Sequence, residues 1–352
     1  MIAMAVTVQR MTMTSIVRLL LWLAALVFAQ SESDQRPNIV FLVVESTDGR
    51  TWQKDYQDNV VPLPNLRSLY GAVAFHKHYA NSPVCCPSRA TFWSGQHAHH
   101  VRNERGAGVW NNGEGLPHDY NERIDQILQR SATYTTLVAG KRDWTSGGHS
   151  LSVSLAAWTQ NVYFPYDVPK SGGWREESAE CRSSGRVVPG NRTVYADDWA
   201  NVRKGTAFIQ QHNSKNSTAP FFVFQGMNIV HPPYRTNEKY YDMIDPGKIR
   251  TPSWLPLNET HPCHFQTMLF KGCLPSDDEA ATFYSKARRR RLRRIYYAMI
   301  AEFDEMVGAY IRALKATNQL KNTVLIVTSD HGDLQMEHQQ HYKMSAYDGS
   351  AR

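Results

Sequence analysis

Four runs of the chain are apolar and rich in β-branched or aromatic residues: 38–44 (NIVFLVV), 134–139 (YTTLVA), 220–225 (PFFVFQ) and 323–328 (TVLIVT). Continuous rather than alternating hydrophobicity marks strands covered on both faces of a parallel sheet. Between the third and fourth runs, Ile295, Met299, Phe303, Val307 and Ile311 recur at four-residue spacing. Tyr310 and Leu314 widen that stripe, which predicts an amphipathic helix beginning near Ile295. Strands alternating with helices predict an α/β fold with a mostly parallel central sheet and helices on both faces. Ligands of such sheets bind beyond the carboxyl ends of the strands. Following those ends are Glu45, Lys141, His231, Asp330 and His331, so acids, histidines and a lysine are expected on one rim. Residues 170–191 and 234–278, rich in Pro, Gly, Ser and charge, read as long surface excursions.

The N-terminus has a different pattern. Arg10 and Arg18 precede an apolar run over 19–29, too short to span a bilayer and suited to a signal peptide ending at Ala29. No later run reaches transmembrane length. Three acceptor sequons, at Asn191, Asn216 and Asn258, agree with entry into the secretory pathway. The five cysteines (85, 86, 181, 263 and 273) leave one over, and Cys263 could close a short loop with Cys273.

Charge narrows the class further. The 352 residues carry 39 Lys plus Arg against 32 Asp plus Glu, a net of +7. Residues 286–294 (KARRRRLRR) hold seven of those positive charges, so the remainder is formally neutral. That excludes a nucleic-acid-coating protein, whose positive charge is spread over a face. The basic run opens the helix near Ile295 and reads as a solvated face of it, with capture of a polyanionic sugar chain as the functional alternative.

The most specific chemistry lies in residues 82–95 (SPVCCPSRATFWSG). Pro87 suits the first turn of a helix and Gly95 could stop it. Cys85 then sits at a helix N-terminus, where free N–H groups favour anions, with Arg89 one turn later offering a planar fork for an oxyanion. A disulfide or buried thiol before a short helix is the other reading. A cysteine phosphatase loop is disfavoured, because its Cys-x5-Arg spacing requires Arg where Thr91 stands.

At this point the chain resembles the sulfatase family. Cys85-x-Pro87-Ser88-Arg89, followed by Ser94-Gly95, is similar to the family signature in which the cysteine becomes Cα-formylglycine. Residues 133–141 resemble a second segment, Gly-Tyr-x-Thr-x-x-x-Gly-Lys, with Thr133 for the first Gly. Ser329-Asp330-His331-Gly332 resembles the late metal motif, and Lys343-x-x-x-Tyr347-Asp348 the lysine segment after it. Trp254, Glu259, His261, Tyr296 and Glu337 stand in segments similar to a lysosomal branch acting on glucuronate 2-sulfate in glycosaminoglycans.

The resemblance implies an alkaline-phosphatase-like sandwich over 37–352, with the C-terminal part of the family fold expected to be missing after Arg352. It implies Ca2+ held by Glu45, Asp330, the modified Cys85 and His331. Arg89, Lys141 and Lys343 would bind sulfate, and His231 or His261 would protonate the leaving alcohol. Their ordinary pKa of about 6.5 suits lysosomal acidity. The partners implied are a sulfated glycosaminoglycan and the formylglycine-generating enzyme, with neither nucleic acid nor a membrane span, and the destination is the lysosome or secretion. Glu45 replaces the family's Asp, and Ser46 a second carboxylate. These departures support a second expectation, a catalytically inactive glycan-binding relative. A two-metal phosphodiesterase on the related fold is disfavoured, since those enzymes use Ser or Thr as nucleophile.

Overall fold

The computed structural model describes residues 36–69, 72–109, 112, 114–145, 184–214, 219–264, 268 and 285–352. The signal segment, Cys181, Cys273 and the Asn216 sequon lie outside the described residues, while Asn191 and Asn258 are exposed. Four parallel strands form the central sheet: β1 (Asn38–Val44), β2 (Thr135–Gly140), β4 (Phe221–Gly226) and β6 (Thr323–Ser329), in the order β2-β4-β1-β6. Each lies within one residue of the run that predicts it. A small parallel pair joins β3 (Arg186–Val188) to β5 (Arg235–Asn237).

Alternation along the central strands explains their unbroken hydrophobicity. Val40, Leu42 and Val44 of β1, with Phe221 and Val223 of β4, enter one apolar cluster. That cluster is completed by α3 (Ala196–Ser214) and α4 (Lys286–Ala316). Val43, Phe222 and Phe224 face the other way, against Ala90 and Trp93 of α1 (Cys85–Ser94) and Ile124 and Leu128 of α2 (Ile124–Ala132). Trp93 is the hub of that second layer, with its ring centroid 4.1 Å from Trp144 and 4.8 Å from Phe224. The sheet therefore has helices on both faces, as expected.

Three expectations need correction. The 323–328 run is not buried on both faces: among the described residues β6 pairs only with β1, and Val324 and Ile326 are 46% and 41% exposed. The solvated reading of the basic run fails at one position: the run opens the long helix from Lys286, as expected, with Ser285 capping it by accepting from the Arg288 N–H at 3.2 Å. The basic run thus forms its first turns, and Arg293 within it is buried, donating to Gln335 O (2.8 Å) and the Tyr297 hydroxyl (2.7 Å). Finally, the start of the 234–278 excursion is core: Tyr234, Tyr240, Ile244 and Ile249 are buried in the first cluster. Among the described residues no helix is long and apolar enough to cross a membrane.

The interior of α4 carries one costly acid. Glu302 is 1% exposed; its Oε1 accepts from Trp199 Nε1 at 2.9 Å and its Oε2 has no hydrogen-bond partner among the described residues. Burial, first of all, pushes its carboxyl up to about 7, against the Trp199 hydrogen bond. A raised carboxyl favours the native state below the unfolded value and loses that contribution as pH rises through about 7. Glu302→Gln is therefore expected to stabilise the protein by roughly 1–3 kcal/mol at pH 7.5 and to be near neutral at pH 4.5. Thermal unfolding at the two pH values checks this, and an equal effect at both would contradict it.

Candidate active site

The site lies on the carboxyl rim of the sheet, and each contributing side chain has its own local support. β1 delivers Glu45, whose N–H donates to Ile229 O (3.0 Å) and whose carbonyl accepts from the Val230 N–H (3.1 Å). Asp198 of α3 fixes that loop by accepting from the N–H groups of Asn228 (2.9 Å) and Ile229 (2.8 Å). Ser46 then takes a left-handed conformation (φ 52°), which turns its N–H onto Asp330 Oδ1 at 3.1 Å. Tyr296 of α4 braces the turn, its hydroxyl donating to Ser46 O and accepting from the Asp48 N–H, both at 2.9 Å.

β2 delivers Lys141 through a close approach that only glycine allows. Gly140 has φ +77°, and a Cβ there would lie 1.9 Å from Gly226 O. A Cβ on Gly226 would lie 1.9 Å from Lys141 O. α1 delivers Cys85 and Arg89. Cys85 is its first residue, Pro87 sits in its first turn, and Gly95 (φ +68°) ends it, as the sequence predicts. β6 delivers Asp330 and His331. Lys343 arrives on a loop pinned beside α1, where the Met344 N–H donates to Pro83 O at 3.1 Å.

These seven side chains meet in one buried ionic cluster. Glu45 Oε2 lies 2.9 Å from Arg89 and 3.0 Å from Lys141 Nζ, and its Oε1 lies 3.2 Å from Lys343 Nζ. Cys85 Sγ donates to Glu45 Oε1 at 3.0 Å and accepts from Lys343 Nζ at 2.7 Å. Arg89 Nε reaches Asp330 Oδ2 at 3.0 Å, and His331 Nε2 lies 3.4 Å from Glu45 and 3.6 Å from Asp330. Glu45, Cys85, Asp330 and His331 offer ligand atoms all within 4.8 Å of one another; Cys86 is not in that group.

Electrostatics assigns the charges. Burial alone would raise Glu45, but Lys141, Lys343, His331 and Arg89 hold it well below the ordinary carboxylate range. Burial, then repulsion from Glu45, pushes the Asp330 carboxyl up to about 6. Burial opposes charge on His331, yet Asp330 more than reverses this and raises it to about 10. Both lysines are shifted upward despite burial, Lys141 chiefly by Glu45 and Lys343 chiefly by Cys85. The cluster is a cationic cradle around one firmly ionised carboxylate, suited to an anionic substrate.

The two histidines expected to donate a proton stand outside this cluster of contacts. His231 follows the loop that pairs with Glu45, but its Nδ1 meets its neighbour's carbonyl, Pro232 O. His261 is exposed, its ring 5.7 Å from that of His264, which in turn contacts the Tyr347 hydroxyl. Asp143, which belongs to the 140–147 segment (GKRDWTSG) and stands where many sulfatases have His, lies 3.2 Å from Lys141 Nζ and is 2% exposed. Asp198 belongs to no motif, and only the fold shows its hold on the loop after β4.

Residues 37–352 match the family model described as Sulfatase. The chain belongs to the sulfatase family. Among curated sulfatases, Arylsulfatase K of Canis lupus familiaris is 35% identical over 329 residues, covering 90% of this chain and 57% of that protein. Arylsulfatase K of Homo sapiens is 34% identical over 365 residues, with 95% and 62% covered. The chain thus spans somewhat more than half the length of the curated relatives it matches. Among solved structures, the phosphonate monoester hydrolase SpPMH from Silicibacter pomeroyi superposes with a TM-score of 0.62 at 21% identity, covering 90% of this chain and 66% of that one. BT1596, titled a 2-O GAG sulfatase, gives 0.55 at 16% identity, with 90% and 63% covered. The architecture is the alkaline-phosphatase-like fold expected of a sulfatase.

Arg89 is the residue whose loss this cluster tolerates least, because it pairs with both buried carboxylates. Arg89→Ala leaves them short of a counter-charge and is expected to cost about 3–5 kcal/mol. Cys85→Ser, which keeps a hydrogen-bonding group, should cost less than about 1.5 kcal/mol. Urea unfolding of the two variants checks the contrast; equal losses would mean that the ion pairs do not brace the rim.

Proposed function

We propose that the protein is a sulfuric ester hydrolase that removes sulfate from a glycosaminoglycan uronate, of the glucuronate 2-sulfate type. Its nucleophile is a formylglycine made from Cys85 and its metal is Ca2+. The observation that carries the reading is the position of Cys85: first residue of α1, fully buried, and in contact with both Glu45 and Lys343. The curated relatives named Arylsulfatase K support sulfate-ester hydrolysis. The secretory destination, lysosomal or extracellular, rests on the apolar run over 19–29 and the sequons.

The residues present fit calcium. Glu45 and Asp330 supply hard oxygen donors, and the sulfur of Cys85 stands where a formylglycine oxygen would be. His331 Nε2 is buried without a hydrogen-bond partner and belongs to the same group of ligand atoms. A bound Ca2+ would polarise the sulfate oxygens and stabilise the charge that builds on them. Formylglycine, as its hydrate, supplies one hydroxyl to attack sulfur and a second to release the sulfate and restore the aldehyde.

The chain's own side chains do the rest. Lys343 and Glu45 hold the group at position 85 from two sides, fixing its direction of attack. Arg89 and Lys141 keep the floor of the pocket positive against the incoming sulfate. His231 and His261 serve the leaving alcohol, one of them donating its proton as the substrate closes over the rim.

Protein made in cells that contain the formylglycine-generating enzyme should yield a Cys85 peptide bearing an aldehyde, read by mass spectrometry. Cys85→Ala should lower sulfate release by about 10³-fold or more. Asp330→Ala should abolish calcium binding in calorimetry. An unmodified Cys85 together with intact glycan binding would instead identify a non-catalytic relative, and calcium affinity unchanged in Asp330→Ala would refute the metal assignment.

A further inference from the structure

The first turns of α4 reach past the catalytic rim. The helix runs antiparallel to the strands, since its C-terminal end leads through residues 317–322 into β6. Tyr296 stands level with the turn after β1, where it bonds Ser46 O. Lys286 lies ten residues earlier, which at 1.5 Å per residue is about 15 Å further out. The seven cations of 286–294 therefore lie beyond the carboxyl end of the sheet, the end that carries the pocket, on the α4 face.

Beside them is a cleft of about 440 Å³, lined by Tyr241, Ile249, Lys286, Arg290, Arg291 and Arg294 among others. Its guanidinium groups are held in place without being neutralised. Arg290 Nε donates to Pro246 O (3.2 Å), Arg291 Nη2 to Gly185 O (3.2 Å) and Arg294 Nε to Ile244 O (3.0 Å). Arg294 also lies over the Tyr241 ring at 3.8 Å. Among the described residues, Lys286, Arg290 and Arg291 have no acidic partner, and Arg294 has only the exposed Asp242 at 3.8 Å. A second cleft of about 480 Å³ on the other flank mixes Arg250 and Arg293 with Asp55 and Glu337. Only the first cleft is uniformly positive. Concentrating cations at a helix N-terminus opposes the helix dipole, and the carbonyl bonds they make leave their charge uncancelled.

We propose that this cleft is a separate, non-catalytic binding site for a polyanionic sugar chain, which tethers a sulfated polysaccharide beside the catalytic pocket. The nature of the polymer rests on the sulfatase reading above; the charge and placement of the cleft do not. A glycan suits it better than a nucleic acid, because among the described residues Tyr241 is the one aromatic side chain lining the cleft and Arg294 already lies over its ring, which leaves no platform for successive bases.

The test compares the wild-type chain with Lys286→Ala/Arg290→Ala/Arg291→Ala, using heparin as probe and a small aryl sulfate as a separate substrate. Heparin affinity is expected to fall about tenfold, with a shallower salt dependence. A control, Arg102→Ala/Arg105→Ala at exposed positions elsewhere, should bind as wild type. Release of sulfate from the small ester should be unchanged, while KM for the polymer rises. Unaltered heparin affinity in a folded triple variant overturns the proposal, as does tighter binding of single-stranded DNA than of heparin through the same residues. If heparin binding falls as expected but no sulfate ester is cleaved by either protein, the cleft stands and the hydrolase reading fails. Should the triple variant unfold at lower temperature, Lys286→Glu, at an exposed position with no ion-pair partner among the described residues, serves in its place: unchanged heparin affinity overturns the proposal there too.

Discussion

The cations of the pocket converge on the Glu45 carboxylate: Arg89, Lys141 and Lys343 lie within 3.2 Å of it, and His331 at 3.4 Å. An anion removed from water costs several kcal/mol unless counter-charges surround it, and each of those cations would be equally costly alone. The cluster therefore forms as a set. Because α1, β2, β6 and the 340s loop each contribute one or two of the partners, satisfying Glu45 also fixes the spacing of those four elements. Ser46 Oγ donates to the same carboxylate at 3.2 Å.

What makes this convergence possible is the parallel sheet. Parallel strands place all their carboxyl ends on one side, so residues from distant parts of the chain arrive together. Two local devices sharpen it. Gly140 and Gly226 let β2 and β4 approach closely enough to turn Lys141 inward. Asp198 clamps the loop after β4, which in turn pairs with the backbone of Glu45. The clamp holds the backbone N–H groups of Asn228 and Ile229 and also the Asn228 side-chain amide, at 3.3 Å.

α4 links this rim to the rest of the molecule. Its apolar face fills the larger core cluster, Tyr296 supports the Ser46 turn, and its arginines reach out to the loops around it. Arg289 lies 3.9 Å over Trp254 and donates to Pro252 O at 3.0 Å. Together with the carbonyl bonds of Arg290 and Arg294, this ties the 244–254 segment to the helix, while Arg291 reaches Gly185 O. Guanidinium groups can do this and stay charged, since a carbonyl accepts a hydrogen bond without cancelling the charge.

The strands, the helix at Cys85 and the family were legible in the sequence because each depends on local order. Strands β1 and β4 show as unbroken apolar runs, since burial on both faces removes the need for alternation. Pro87 and Gly95 mark the ends of α1 by their own backbone limits, and the 85–89 and 329–332 motifs keep fixed spacing. The edge exposure of β6 was not legible, because a strand's neighbours are not written in its own residues. Nor was the burial of Arg293 within the basic run that opens α4, since its partners Gln335 O and the Tyr297 hydroxyl are fixed by packing. The partners of Lys141, the clamp at Asp198 and the absence of His231 and His261 from the ionic cluster came only from the tertiary structure. Charge pairing between residues tens to hundreds of positions apart depends on distances in space, and those are set by how the layers pack.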